Sequence, residues 1–269
     1  MNDLFRDLAP ISQAAWKAIE EEARHTVKRF LAARRLVDFH GPKGWEFCAI
    51  SAGRVEAIGP EPRPRVTAAL RQVQPLVEFR TSFTLSRAEL EVVDRGGEDP
   101  DLDAVRDAAR AIAYSEDHAV FHGYAPAGIK GINQRSPSDC MTISDDYEKY
   151  PRAVAEALNK LRNTGIDGPY AIALGPRCYT GLTETTSRGG YPVIEHVRRL
   201  VDGPIVWAPG INGACVLSTR GGDFDLTVGR DFSIGYQSHD ATSVALYLIE
   251  SFTFRLITPE AAVPLVYAT

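Results

Sequence analysis

From Trp45 to Phe83 the chain has almost no means of making a core of its own, and that limits what the whole molecule can be. Gly41, Pro42 and Gly44 break the chain ahead of this stretch. Trp45 to Ile50 reads as extended and Gly53 begins a turn. Val55 and Ile58 then lead into Pro60, Pro62 and Pro64, a run that cannot be helical because each proline lacks an N–H and fixes φ. Val66 to Phe83 resumes with β-branched and aromatic residues, the composition of a strand. Two long strands joined by a proline-rich tip make an arm. A two-stranded arm is marginal in water, so it needs a partner surface, which in a self-assembling protein is the neighbouring subunit.

The flanking sequence carries ordinary cores. Ser12 is placed to cap a helix running to about Ala33, with Trp16, Ile19, Ala23, Val27, Phe30 and Leu31 at three- and four-residue spacing. That apolar face packs a surface helix, or borders a groove as a docking helix. Ser86 caps a short helix through Val93, ended by Gly96 and Gly97. Asp101 opens a spine helix to about Phe121, its apolar side supplied by Leu102, Val105, Ala109, Ile112, Ala113, Ala119 and Val120. Residues 136–218 read as a separate α/β unit: helix Pro151–Asn163, strand Tyr170–Leu174, a helix from Pro176, a helix Pro192–Leu200, and short strands Ile205–Trp207 and Ala214–Ser218. Next, Arg220 to Tyr236 reads as a hairpin. Gly221 and Gly222 supply positive φ, and Phe224, Leu226 and Val228 alternate with Asp225 and Thr227 as in a half-buried strand. Ser243–Ile257 is a long strand by the same alternation.

Composition excludes several functions. Hydrophobic residues make up 44% and charged residues 24%, as in a soluble globular protein. The net charge is −5 and the densest basic spots are the pairs Arg34-Arg35 and Arg198-Arg199, so nucleic acid is a poor partner. Cys48, Cys140, Cys178 and Cys215 are widely spaced with no CxxC, which excludes a zinc knuckle or thioredoxin motif and suits buried free thiols. The N-terminus lacks the apolar core of a signal peptide, and no apolar run reaches the ~18–20 residues of a membrane span. The expected location is the cytoplasm, with no membrane partner.

The search for chemistry returns little. His118 and His122 have the i,i+4 spacing by which two imidazoles meet one metal, with Glu116 or Asp117 as a conceivable third ligand; two helix-surface histidines are the simpler reading. There is no Gly-x-Ser-x-Gly elbow and no GxxxxGK[ST] phosphate loop around Lys130. Asp145, Asp146 and Glu148 lack the calcium-loop pattern. No catalytic residue and no metal site is expected, which favours a structural role.

Several short motifs stand in one order: Leu8-Ala-Pro with Trp16, Arg34-Arg-Leu-Val-Asp38, Gly41-Pro-x-Gly-Trp45, Pro75-Leu-x-Glu-x-Arg80, Phe83-Thr-Leu, Gly165-Ile-Asp-Gly-Pro-Tyr170, Gly190-Tyr-Pro192, Arg220-Gly-Gly-Asp-Phe224, Ser233-Ile-Gly-Tyr236 and Phe252-Thr-Phe254. Each is weak alone, but the ordered set resembles the encapsulin (linocin-like) shell family from end to end. The resemblance implies an α+β fold of the tailed-phage major capsid (HK97-like) type. Residues 1–44, 83–135 and 219–269 would form a peripheral domain, whose last segment could end in the axial domain. Residues 45–82 would form the extended β arm and 136–218 the axial domain. It implies a closed icosahedral homo-oligomer, most simply the smallest shell of about sixty copies, that encloses a cargo enzyme and has no active site.

The family's cargo carries a C-terminal targeting peptide, and the matching groove would use Leu31, Arg34, Asp38, Phe232, Ile234 and Tyr236. Arg34 and Asp38 could equally pair with each other at i,i+4, worth a few tenths of a kcal/mol. A dye-decolorising peroxidase or a ferritin-like protein would be the cargo. The pore would be lined by Thr183, Glu184, Thr185, Thr186, Ser187, Arg188, Gly189, Gly190 and Tyr191. Some relatives bind flavin through a Trp after Phe-Thr-Leu and a Tyr before Pro. Here Tyr191 is present but Ala88 replaces the Trp, so the resemblance implies no cofactor. A prophage-type capsid protein packaging DNA and a soluble hydrolase are the alternative readings.

Overall fold

A computed structural model describes residues 3–134, 139–187 and 189–268. Among these, the strands form two five-stranded sheets and one two-stranded ribbon. The ribbon is the expected arm: β2 (Ala49–Arg63) pairs antiparallel with β3 (Val66–Pro75), turning at Arg65, whose φ is +67°. Cross-strand pairs share a face, so Val55 and Arg71 lie on one side and Glu56 and Leu70 on the other. Val55, Ile58, Val66, Leu70 and Val73 are all exposed, so neither face rests on a core. Gly53 does not begin a turn. It lies inside β2, where the register slips between Ser51 and Val55. Residues 77–82, expected in the arm, belong instead to β4 (Val77–Ser86), which pairs along its whole length with β11 (Ser243–Leu256).

β11 is the centre of the first sheet. Besides β4 it pairs antiparallel with β9 (Phe224–Val228) and β10 (Ser233–His239), and β1 (Asp38–His40) adds to β9 in parallel. This overturns the Arg220–Tyr236 hairpin. Gly221 and Gly222 do take positive φ, +88° and +82°, but they carry the chain from one sheet to the other. β9 and β10 then run in succession along β11, joined where Ser251 bonds Gly229 and Arg230. All five β9 residues are buried, not half-buried, because β1 and β11 enclose the strand. Asp225 is accommodated there by Arg255 and Thr227.

Helices α1 (Gln13–Phe30), α2 (Arg87–Asp94) and α3 (Asp103–His122) cover this sheet. Ser12 Oγ accepts the Ala15 N–H at 3.0 Å, the expected cap. Trp16, Ile19, Ala23 and Val27 of α1 join Val105, Ala109, Ile112 and Ala113 of α3 and Val244, Leu246 and Leu248 of β11 in one cluster. Each large aliphatic buried there contributes about 1.5–3 kcal/mol, far more than helix propensity. The alternation read for residues 243–257 holds: even-numbered Val244, Leu246 and Leu248 face these helices.

The second sheet has the order β5 (Met141–Ile143), β12 (Ala262–Tyr267), β8 (Ala214–Ser218), β6 (Tyr170–Leu174), β7 (Ile205–Trp207). It packs with α4 (Tyr150–Asn163), α5 (Pro176–Glu184) and α6 (Val193–Leu200). The boundary expected between 135 and 136 falls outside the described residues. Phe30 links the two sheets' layers, its ring 5.5 Å from Tyr114 and 5.7 Å from Trp207.

Gly213 shows how tightly β12 is held. Its φ is +101°, and a Cβ there would sit 2.2 Å from the Leu265 carbonyl oxygen. A Gly213→Ala substitution should cost about 2–4 kcal/mol, from left-handed strain and overpacking. A lowered urea midpoint checks this, and an unchanged midpoint would show that β12 yields freely.

Candidate functional site

α1 was expected to run to about Ala33, but it stops at Phe30. Leu31 turns extended, with φ −76° and ψ 118°, and a single 3-10 turn follows at Ala33–Arg35. The cause is Asp117 on α3. Its two carboxylate oxygens accept the N–H groups of Ala32 and Ala33 at 2.8 and 2.9 Å, replacing acceptors inside the helix. The broken helix end and β10 then wall a groove of about 880 Å³. Leu31, Arg34, Phe232 and Ile234 line it, as expected of them; so do Ala23, Val27 and Leu248.

Asp38 and Tyr236 do not. Asp38 lies in β1, not on the helix, and its Oδ2 accepts the Gly222 N–H at 2.6 Å beside a separate small cavity. It therefore pairs neither with Arg34 nor with anything in the groove. Tyr236 donates its N–H to the Leu4 carbonyl at 2.8 Å, where the segment before α1 meets β10, and its Oη lies 2.6 Å from His239 Nδ1. Leu4 and Arg6 line the groove from that same segment, a wall that no sequence pattern announced.

Arg34 forms the floor's polar end. Its Nε donates to both Glu116 oxygens at 2.9 and 3.0 Å. Nη2 reaches Glu116 Oε2 at 2.5 Å and Glu250 Oε2 at 3.4 Å, and Nη1 reaches Asp231 Oδ1 at 2.7 Å. The guanidinium stacks on Phe232 at 4.6 Å and Phe39 at 5.0 Å. Glu116 and Glu250 are fully buried, and Glu250 Oε1 has no hydrogen-bond partner among the described residues. Burial works against the charge on Arg34, but Glu116 and Asp231 outweigh it and hold the guanidinium well above its ordinary value. Burial first, then the adjoining Glu116 charge, holds Glu250 well above its ordinary value.

Burial likewise pushes Asp117 up to about 7, against the two backbone bonds that pull it down. Between about pH 4, where an unfolded aspartate ionises, and about 7, the folded chain thus binds more protons than the unfolded one. Asp117 therefore lowers stability as pH rises through that window, and its effect is constant above it. We expect the wild-type denaturation midpoint to fall from pH 5 to pH 7 relative to that of Asp117→Asn. Parallel pH profiles for the two proteins would refute this.

The other expectations fare as follows. His118 and His122 have ring centroids 4.9 Å apart, and His122 Nε2 lies 3.1 Å from the Gly210 carbonyl oxygen. Glu116 and Asp117 point inward and are occupied, so neither completes a metal site. Among the described residues no three His, Cys, Asp or Glu are grouped to hold a metal. Cys178 and Cys215 are buried, but Cys48 is exposed at the base of the arm, contrary to the expectation of buried thiols. Cys178 Sγ sits 3.0 and 3.1 Å from the hydroxyls of Tyr150 and Tyr267, and burial pushes its thiol up, away from the reactive thiolate.

Of the expected pore residues, Thr183 and Glu184 belong to the last turn of α5. Beyond it, Val193 N–H bonds Thr185 O at 3.0 Å, Thr186 bridges Pro192, and Ser187 N–H bonds Tyr191 O at 2.8 Å, pinning the base of an exposed loop. Gly189 and Gly190 are exposed at its tip, and Arg188 lies outside the described residues. Tyr191 accepts from Arg199 Nη2 at 3.0 Å and stacks edge-on against His196 at 5.1 Å.

An arm whose faces rest on no core, carried beside two lobes of one chain, is the shape of a subunit that works by assembling. Solved structures agree on the fold. The virus-like particle from Pyrococcus furiosus matches with a TM-score of 0.63 at 16% identity, over 92% of this chain and 98% of that one. The capsid of Myoviridae phage XM1 matches with a TM-score of 0.54 at 9% identity, over 88% and 91%. The fold is thus that of HK97-like capsid proteins. The chain belongs to the encapsulin shell family: residues 1–253 match the family model described as encapsulating protein for peroxidase. It is 57% identical to the type 1 encapsulin shell protein of Rhodospirillum rubrum over 270 residues, covering 98% of this chain and 96% of the relative. With the type 1 encapsulin shell protein of Mycobacterium tuberculosis the identity is 48% over 265 residues, covering 98% and 99%.

Proposed function

We propose that this shell protein closes into the smallest icosahedral particle in the cytoplasm, around an enzyme held by an extended C-terminal tail in the groove between α1 and β10. The chain has no catalysis of its own in this reading. The observation that carries it is the groove: an apolar floor from Val27, Leu31, Phe232, Ile234 and Leu248, framed by charged side chains. A peroxidase is the favoured cargo, since the matching family is described as encapsulating one; a ferritin-like protein is the second. Small substrates pass the loop around Thr185–Tyr191. The shell binds no flavin: Tyr191 is engaged by Arg199 and His196, and Ala88 offers no second stacking ring. Flavin absorbance in purified shells would overturn that part.

The groove is tested with Phe232→Asp, a half-buried lining position. Particles should still form by negative-stain microscopy, while a co-expressed reporter carrying the cargo's tail is lost from them at least tenfold. Enclosure at the wild-type ratio would remove the groove from the account.

A further inference from the structure

His118 and His122 stand one turn apart at the C-terminal end of α3, and neither lines the groove. Residues at i and i+4 share a helix face. The two rings meet there with centroids 4.9 Å apart and planes tilted by 40°. His118 is exposed and has no hydrogen bond or ion pair among the described residues. His122 is half-buried, and its Nε2 lies 3.1 Å from the Gly210 carbonyl oxygen. A carbonyl only accepts, so Nε2 carries the proton, and in the neutral ring Nδ1 carries the lone pair. The segment that brings Gly210 lies close on the same helix: a Cβ there would sit 3.4 Å from Asp117 Cβ and 4.0 Å from the His118 nitrogen.

Three observations point to a cation. A histidine that ligates a metal almost always donates its other N–H to a carbonyl, a carboxylate or water, which fixes the tautomer and the ring's orientation. The Gly210 carbonyl does this for His122. The separation of the rings fits as well. A metal about 2.1 Å from a ring nitrogen lies about 3.3 Å from that ring's centre, so two rings bound at about 90–110° have centres about 4.7–5.4 Å apart. The partial negative charge at the end of α3 favours a cation there over an anion. Glu116 and Asp117 turn inward and are engaged, so the donors are two imidazoles and no carboxylate. That set suits Cu²⁺, Ni²⁺ or Zn²⁺, and not Mg²⁺ or Ca²⁺, which demand oxygen ligands.

We propose that His118 and His122 form a two-imidazole chelate for a borderline divalent transition metal, Cu²⁺ above all, with water in the remaining positions. The site is independent of the groove and of any cargo.

The test is a titration of the full-length shell protein, stripped with EDTA and then freed of chelator, with Cu²⁺ as the only added metal. Wild-type protein should take up about one Cu²⁺ per subunit at a free concentration roughly tenfold or more below that needed by His118→Asn or His122→Asn, because the second imidazole binds as an intramolecular ligand. The double variant should bind no worse than either single one, since losing one ring already breaks the chelate. His25→Asn removes a histidine of α1 and should leave the tight site intact. Electron paramagnetic resonance of the wild type at one Cu²⁺ per subunit should show hyperfine structure from two imidazole nitrogens, reduced in either single variant. Zn²⁺ should compete for the site, and a large excess of Mg²⁺ should not. A copper isotherm that neither substitution changes would overturn the site, and so would a wild-type spectrum with one imidazole nitrogen or none. That spectrum decides the matter even where a variant fails to assemble.

Discussion

Arg34→Met should yield little or no folded protein. The substitution keeps much of the side chain's packing against Phe232 and Phe39 but leaves Glu116 and Glu250 together in the interior with no cation. Breaking a buried ion pair by removing one partner costs about 3–5 kcal/mol, a large part of the about 5–15 kcal/mol that holds a typical domain. The loss is due to the stranded acids and not to Arg34 itself, so adding Glu116→Gln and Glu250→Gln should restore most of it. Soluble yield and the thermal midpoint by circular dichroism report both halves. A single variant that melts with the wild type would mean that the cluster is open to water.

The second large effect falls on assembly. Ile58→Asp with Leu70→Asp places two charges on the exposed arm, which contributes no side chain to either core cluster. The subunit should keep its helical circular dichroism and its melting point. Shells should be absent by sedimentation, because each copy forfeits about 1.5–3 kcal/mol per large apolar side chain at its neighbour and must desolvate a carboxylate as well. Wild-type shell yield from this variant would show that the arm's apolar residues face solvent in the particle too.

Much of this architecture was legible in the residues. Period and punctuation placed α1, α3, β6, β7, β8 and β11 within a few positions, and the proline-rich tip marked the arm, because those signals act over a few neighbouring residues. Errors arose where a partner distant in sequence decided the outcome. The end of α1 depends on Asp117, some eighty residues away, whose carboxylate captures the Ala32 and Ala33 amides. The Gly221-Gly222 turn looked like a hairpin because a change of sheet and a reversal within one sheet require the same positive φ. Asp38 came from the family resemblance, and the i,i+4 pairing with Arg34 weighed against it needs a helix that the chain does not keep there. Leu31, Arg34, Phe232 and Ile234 came from family resemblance and do meet in the groove. Leu4, Arg24 and Lys28 were missed, since nothing in their local pattern shows what lies opposite.

The position of β12 bears on the order in which such a subunit can be made. The strand inserts between β5 and β8, so until residues 262–267 have emerged from the ribosome, β5 has no neighbour and one edge of β8 stays bare. A nascent chain can gather the helices of the first lobe early but cannot complete the second. A neighbour that docks on the finished second lobe should therefore recruit only chains that have reached residue 267. Ribosome-bound chains halted before Ala262 should accordingly fail to recruit finished subunits.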